Sequence, residues 1–232
     1  MPRRPRFVCP GIAHHITHRG NNKDLVFRCD SDRELYIRLL RRAARKYAVK
    51  IVGYCLMPNH IHLIAVPPQE GSLGAAVRDA HSDYSCKVNL RVGRCGHVWE
   101  HRYYSCPMDE SHLLRALRYV DLNPVRAGMC EDATQWHWSS AMAHSRPNVT
   151  DSLLATDWMS VLGGWDFAEW RTGLDVIDDE VGPLLRHATR SGMPLGSSDF
   201  IEDLRHRANR AVGLTPRGRP RGRQQLAQAA SI

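Results

Sequence analysis

The chain of 232 residues has no apolar run near the roughly 18 residues a membrane helix needs, so no transmembrane segment is expected. Its basic start, MPRRPRF, is followed by no apolar stretch, which argues against a secretory leader and for the cytoplasm. Seven cysteines occur without one C-x-x-C pair. An odd, scattered set fits reduced thiols and argues against a disulfide framework or a thiolate-built zinc site. No H-E-x-x-H sequence and no internal repeat is present, which disfavours a zinc-dependent hydrolase and a solenoid. What remains is 43% hydrophobic and 24% charged, an ordinary globular balance with enough chain for one or two cores.

Charge is present in uneven blocks. Residues 1–148 hold 22 Lys and Arg against 13 Asp and Glu, residues 149–216 hold 6 against 11, and residues 217–232 hold 4 against none. With a net charge of +8, this division points to a polyanionic partner, nucleic acid in the first place. A solvated surface with a basic bias is the plainer alternative. The blocks suggest a basic arm over 1–11, a main domain over 12–148, an acidic helical extension over 149–213 and a disordered arginine-rich tail over 214–232.

Patterning within the main domain is regular. IAHHITH, 12–18, alternates enough for a strand, and RGNNKD supplies a turn. Ser31 and Glu34 have capping-box spacing before Leu35, Leu39, Ala43 and Tyr47, which predicts a helix. KIVGYCLM and HIHLIAV flank Pro58-Asn59 as a hairpin. Ser72 would cap a helix to about Leu90, 97–105 reads as a fourth strand, and 109–123 as a helix ended by Pro124. The order β-α-β-β-α-β plus a helix predicts an α+β fold. Its form is a ferredoxin-like split βαβ, an antiparallel sheet with helices on one face, followed by a helical C-terminal extension. In that extension 152–162, 166–173, 178–190 and 197–211 read as short helices.

Within CLMPNHIHLIAV, 55–66, an otherwise strand-like run carries His60 and His62. Residues two apart on a strand share a face, so both imidazoles would stand about 7 Å apart on one side and can converge on one cation. Two partly exposed histidines on a polar face are the simpler alternative. On the helix 109–123, Tyr119 and Asn123 stand one turn apart, a phenol above an amide. By itself Tyr119 fits an ordinary packing tyrosine equally well. His112, two turns from Asn123, is a weaker ligand candidate, and Tyr84 a rival nucleophile with no metal-type residue beside it.

YCLMPNHIHLIAV followed some 55 residues later by LRYVDLNPVRAG resembles the single-tyrosine HUH transposases, in particular their REP-associated tyrosine transposase branch. FVCPGIAHHITHRGNNKDLVF, GHVWEHRYYSCPMDE and ATRSGMPLGSSDFIEDLRHRANR are similar to that branch as well. Where the branch has W-Q-G-R-F this chain has Trp99 to Tyr103 as WEHRY. The resemblance implies that His60 and His62 hold a divalent metal, that Tyr119 is the nucleophile and that Asn123 completes the metal site. It also implies a substrate, single-stranded or hairpin-forming DNA from palindromic repeats, cut and rejoined through a 5′-phosphotyrosine. Relatives that pair share active sites; the long extension here would cover that surface and favours a monomer over a dimer.

The candidate ligands are all neutral, so manganese, which accepts imidazole, suits them at least as well as magnesium. Arg102 and Tyr103 on the expected fourth strand would meet unpaired bases and backbone. Arg115, Arg118 and Arg126 flank the Tyr119 helix as candidate phosphate contacts. Arg217, Arg219 and Arg221 in the tail sequence RGRPRGR suit a narrow minor groove or phosphate in general. The alternative function is a catalytically silent DNA-binding regulator on the same fold.

Overall fold

The computed structural model of the chain describes residues 6–208. The first five residues of the basic arm and the tail with Arg217, Arg219 and Arg221 lie outside the described residues. Four strands form one antiparallel sheet: β1 His14–Arg19, β2 Lys50–Met57, β3 His60–Val66 and β4 Tyr104–Pro107, in the order β2-β3-β1-β4. That order is the one a split βαβ layout requires. β2 buries every residue after Lys50, which is why it reads as a continuous apolar run instead of an alternating one.

Helices α1, Asp30–Lys46, and α2, Ser72–Val92, pack on each other over one face of the sheet. The sequence layout placed helices on one face; the second face is covered too. Helix α3, Glu110–Asp121, and the helix of residues Val181–Ser191 lie there. Between them in the chain come α4 Asn123–Arg126, α5 Ala141–Ser145, α6 Trp158–Val161 and α7 Phe167–Gly173, so Val181–Ser191 is α8, and α9 is Ser198–Ala208. The extension shares the core of the main domain through Trp158, Trp170, Val181, Leu185 and Ala188. The chain after α4 also covers the sheet edges: Leu56 N–H donates to the Trp138 carbonyl, Ala155 N–H to the Ile51 carbonyl and Leu195 N–H to the Pro107 carbonyl. Bare strand edges would pair with other chains, so this covering protects them.

Three local expectations change. The Ser31–Glu34 capping box does not form, because α1 begins two residues earlier than that box requires, at Asp30 behind Cys29. Buried Asp32 instead accepts the Arg28 N–H at 2.9 Å and pairs with Arg91. The fourth strand is Tyr104–Pro107 and not 97–105, since Trp99 turns inward to stack on His81 with centroids 4.1 Å apart. Pro124 does not end the helical path. It sits in the first turn of α4, where a missing N–H costs nothing.

A buried polar cluster ties α3 to the extension. Asp121, fully buried, accepts from Ser140 Oγ at 2.9 Å, from Trp170 Nε1 at 3.2 Å and from His144 Nδ1 at 2.8 Å. His144 Nε2 faces the Val52 carbonyl at 3.0 Å. Asp121→Ala would strand the buried Trp170 and His144 donors, while Ser140 Oγ keeps the Tyr54 carbonyl at 3.2 Å, so it should destabilise the fold by about 3–5 kcal/mol. Denaturant titration checks this; a loss under about 1 kcal/mol would show that the cluster is not needed.

Gly53 leaves room for Leu117 of α3 against the sheet. A Cβ there would stand 2.2 Å from Leu117 Cδ1, so any larger residue would force that buried side chain to shift.

Candidate active site

In β3 the even-numbered residues face α3 and α8, and pairing register sets His60 opposite Arg19 and His62 opposite Thr17. The two imidazoles share that face as the strand period dictates, with centroids 5.0 Å apart. His60 keeps partial exposure and His62 is buried. In both rings it is Nδ1 that has a protein partner: Asn59 Oδ1 at 2.7 Å for His60, and His15 Nε2 at 2.9 Å for His62. Nε2 of each is the nitrogen left over.

Burial, with the charge of Arg19 as a smaller cause, lowers the His60 pKa to about 4. Burial and then the neighbouring His60, His15 and Arg186 push His62 well below the ordinary value. Both rings are therefore neutral near pH 7 and offer lone pairs. A pair of neutral imidazoles suits a cation that accepts nitrogen, so the residues fit a divalent transition ion. Among the described residues no group of three or more His, Cys, Asp or Glu is placed to hold a metal. A third ligand must be of another kind. Asn123 is a candidate: its Nδ2 donates to the Tyr119 carbonyl at 2.8 Å, which leaves its side-chain oxygen as the atom for a cation.

Tyr119 stands edge-on to His62, with centroids 5.8 Å apart, so the structure brings the phenol and the histidine pair together. Its hydroxyl accepts a hydrogen bond from Arg186 Nη1 of α8 at 3.2 Å. The Arg126 guanidinium lies 5.5 Å from the ring centroid. Gly182 lets α8 lie this close, since a Cβ there would stand 3.1 Å from the Tyr119 ring. The ring is only 6% exposed. Beside it a small open pocket is lined by Arg115, Arg118, Tyr119, Arg126 and Asp178, among others.

The arginines differ in their duties. Arg115 donates from Nε and Nη2 to Asp178 at 3.0 and 2.8 Å, and Arg126 reaches Asp179 at 3.5 Å. Two carboxylates of the acidic extension thus pair with these two arginines. Arg118 is held by the extension instead, 5.2 Å over Trp170 and packed against Gly173. Arg102 is exposed in the loop before β4. The expectation that Tyr103 stacks on a base is corrected. Its ring is buried and covered by the Arg6 guanidinium at 3.6 Å, because β4 begins only at Tyr104 and Tyr103 lies in the loop before it.

His112 and Tyr84 have other tasks. His112 Nδ1 meets Asp109, the N-cap of α3, at 2.7 Å. Tyr84, fully buried, donates to the Val26 carbonyl at 2.7 Å. Sequence reasoning missed Arg186, His15 and Thr189. Arg186 is 67 residues from Tyr119, a distance that carries no spacing signal. His15 shows only as one of the five residues of HHITH, and its partner appears only once β1 is paired with β3.

Comparison with known proteins bears on the family and the fold. Residues 9–123 match the family Transposase IS200 like, a stretch that holds His60, His62, Tyr119 and Asn123. A Haemophilus influenzae protein described as a REP-associated tyrosine transposase is 26% identical over 112 residues, 43% of this chain and 63% of that protein. The match thus spans less than two thirds of that relative. A solved REP-associated tyrosine transposase bound to a REP hairpin shares the fold, with a TM-score of 0.54 and 16% identity over 68% of this chain and 93% of that one. Residues 9–123 of this chain belong to the IS200-like transposase family.

Proposed function

We propose that this protein is a metal-dependent endonuclease and strand transferase for single-stranded, hairpin-forming DNA. One observation carries the reading: a phenol edge-on to a buried imidazole, with a second imidazole beside it and a guanidinium on the hydroxyl. In this reading Tyr119 Oη attacks a backbone phosphorus, the bond from phosphorus to the 3′ oxygen breaks, and the phenolic proton ends on that oxygen. The products are a 5′-phosphotyrosine and a free 3′-OH; the reverse reaction rejoins DNA, because one phosphodiester replaces another. A tyrosine hydroxyl is protonated near neutral pH, so it needs help to become a nucleophile. Arg186 supplies part of that help, since its N–H would bond more strongly to a phenolate than to a phenol.

His60, His62 and Asn123 would hold the ion, Mg²⁺ or Mn²⁺. When bound it relieves negative charge on the phosphate and aligns it for in-line attack. All three ligands are neutral, so the ion would bind weakly to the protein alone and more tightly once a phosphate supplies charge. Arg115 and Arg126 would take the backbone after exchanging Asp178 and Asp179 for phosphate oxygens. The substrate class follows the relative in the fold that carries a REP hairpin.

The near-closure of Tyr119 favours a second reading, a hairpin-binding regulator that does not cut. A labelled hairpin oligonucleotide with manganese separates the two. A protein-linked label that survives denaturation is the result expected. Binding without a linked label would move the function to the regulator.

Arg186→Ala removes the hydroxyl's only charged hydrogen-bond donor recorded among the described residues. A bond to a charged group is worth about 1.5–3 kcal/mol, so single-turnover cutting should slow about 10- to 100-fold with DNA affinity little changed. An unchanged rate would remove Arg186 from the reaction.

A further inference from the structure

We infer that Thr189 and His15 are positioning residues that hold His62 in the one tautomer able to ligate a cation, so that the C-terminal extension completes the site. The inference deepens the proposed function and rests on the reading of His62 as a ligand. Three hydrogen bonds in series carry it.

Thr189 Oγ1 lies 2.6 Å from the Leu185 carbonyl, one turn back on α8. A carbonyl only accepts, so the single hydroxyl hydrogen is committed there. Toward His15 Nδ1, 2.7 Å away, the same oxygen can then only accept, and His15 donates from Nδ1. A neutral imidazole carries one N–H, so Nε2 of the fully buried His15 is bare. Its partner at 2.9 Å is His62 Nδ1, which must hold the hydrogen. What remains on His62 is an unprotonated Nε2.

The other imidazole reaches the same state by a different route. Asn59 Nδ2 faces the Lys23 carbonyl at 3.3 Å, which turns its Oδ1 toward His60 Nδ1 at 2.7 Å. His60 therefore donates from Nδ1 and also keeps Nε2 bare. Local sequence fixes His60, whereas His62 depends on residues 47 and 127 positions away in the chain, His15 and Thr189. Thr189 lies beyond the stretch 9–123 that carries the family match. Partners of this kind raise a ligand's basicity and orient its ring.

Removing one hydroxyl should reverse the whole series. With valine at 189, His15 Nδ1 loses its acceptor, and Cys106 Sγ, 3.3 Å from Thr189 Oγ1, is too weak to replace it. His15 then bonds best by donating from Nε2 to His62 Nδ1. That places the hydrogen of His62 on Nε2 and blocks the ligand.

The test uses the full chain, metal-free and labelled with ¹⁵N-histidine, read by two-bond ¹⁵N–¹H NMR. Wild type and Thr189→Ser should show His62 protonated at Nδ1, and Thr189→Val should show it protonated at Nε2. Mn²⁺ affinity, measured with a single-stranded oligonucleotide present, should fall about 10- to 100-fold in Thr189→Val and recover in Thr189→Ser. A wild-type His62 protonated at Nε2 overturns the inference and needs no variant to fold. A Thr189→Val spectrum identical to wild type overturns it too. A wild type protonated at Nδ1 that takes up no Mn²⁺ upholds the relay and removes the metal reading, so the two fail separately.

Discussion

Tyr119→Phe should abolish strand cutting and the covalent product while leaving hairpin binding and folding intact. The substitution removes one oxygen from a ring whose packing it barely alters. The ring keeps its edge contact with His62 and its place beneath Gly182; only the bond from Arg186 is lost. Two other tyrosines are ruled out as substitutes by their surroundings. Tyr84 is sealed in the core with its hydroxyl on the Val26 carbonyl, and Tyr103 is buried under Arg6. Losing the nucleophile removes the covalent route outright, so the rate should drop by at least about a thousandfold. A gel with a hairpin oligonucleotide and manganese reads both quantities. Residual cutting within tenfold of wild type would move the nucleophile elsewhere, and lost binding would give Tyr119 a structural task.

The second large effect is acid lability. On the face of the sheet opposite the candidate site, His18, His81 and Tyr36 form a closed series of hydrogen bonds. His18 Nε2 donates to the Glu100 carbonyl at 2.7 Å, so its Nδ1 accepts from His81 Nδ1 at 2.8 Å, and His81 Nε2 accepts from the Tyr36 hydroxyl at 2.8 Å. His14 is satisfied likewise, donating to the Ile12 carbonyl at 2.8 Å and accepting the Cys9 N–H at 3.2 Å. Every ring nitrogen is used in the neutral form, and an added proton would have to break a bond in a buried place.

Burial accordingly lowers the pKa of His14 and of His18 to about 4, and that of His81 well below the ordinary value. Between the unfolded value of 6.5 and about 4 the unfolded chain binds more protons than the folded one. Stability is therefore full above that window and falls as pH drops through it. Each such histidine costs about 1.4 kcal/mol per pH unit inside the window. Three together cost about 4 kcal/mol per pH unit and about 10 kcal/mol across the window, comparable to a typical total of about 5–15 kcal/mol, so acid unfolding should set in between about pH 6 and 4. Tryptophan fluorescence against pH checks this. A chain still folded below pH 4 would mean that these rings take up protons without breaking their bonds.

The elements the sequence made visible were those whose signal is local. Leu35, Leu39 and Ala43 repeat at helical spacing, and α1 lies over them; His60 and His62 share a face because a strand has period two. Tyr119 and Asn123 are one turn apart in the structure as in the sequence, joined through the Tyr119 carbonyl. Pairing was less legible. His15 becomes a partner of His62 only through the register of β1 against β3, and no pattern within HHITH distinguishes it from His14, which faces the other way. The aromatic run at 97–105 misled for a physical reason: Trp99 and Tyr103 are buried from a loop, by stacking on histidines and under an arginine, and not by a strand. The extension's part was hidden as well. Arg186, Thr189, Asp178 and Asp179 read as a solvated acidic segment until α8 is seen lying across the tyrosine.

These findings leave one claim on which the rest depends, that a single cation sits on His60 and His62 within reach of Tyr119. Crystals soaked in Mn²⁺ with a bound oligonucleotide, measured at the manganese absorption edge, test it directly. The expected result is one anomalous peak bonded to Nε2 of both histidines, beside the Tyr119 hydroxyl. A peak elsewhere, or none on these imidazoles while the oligonucleotide is cut, would contradict the account.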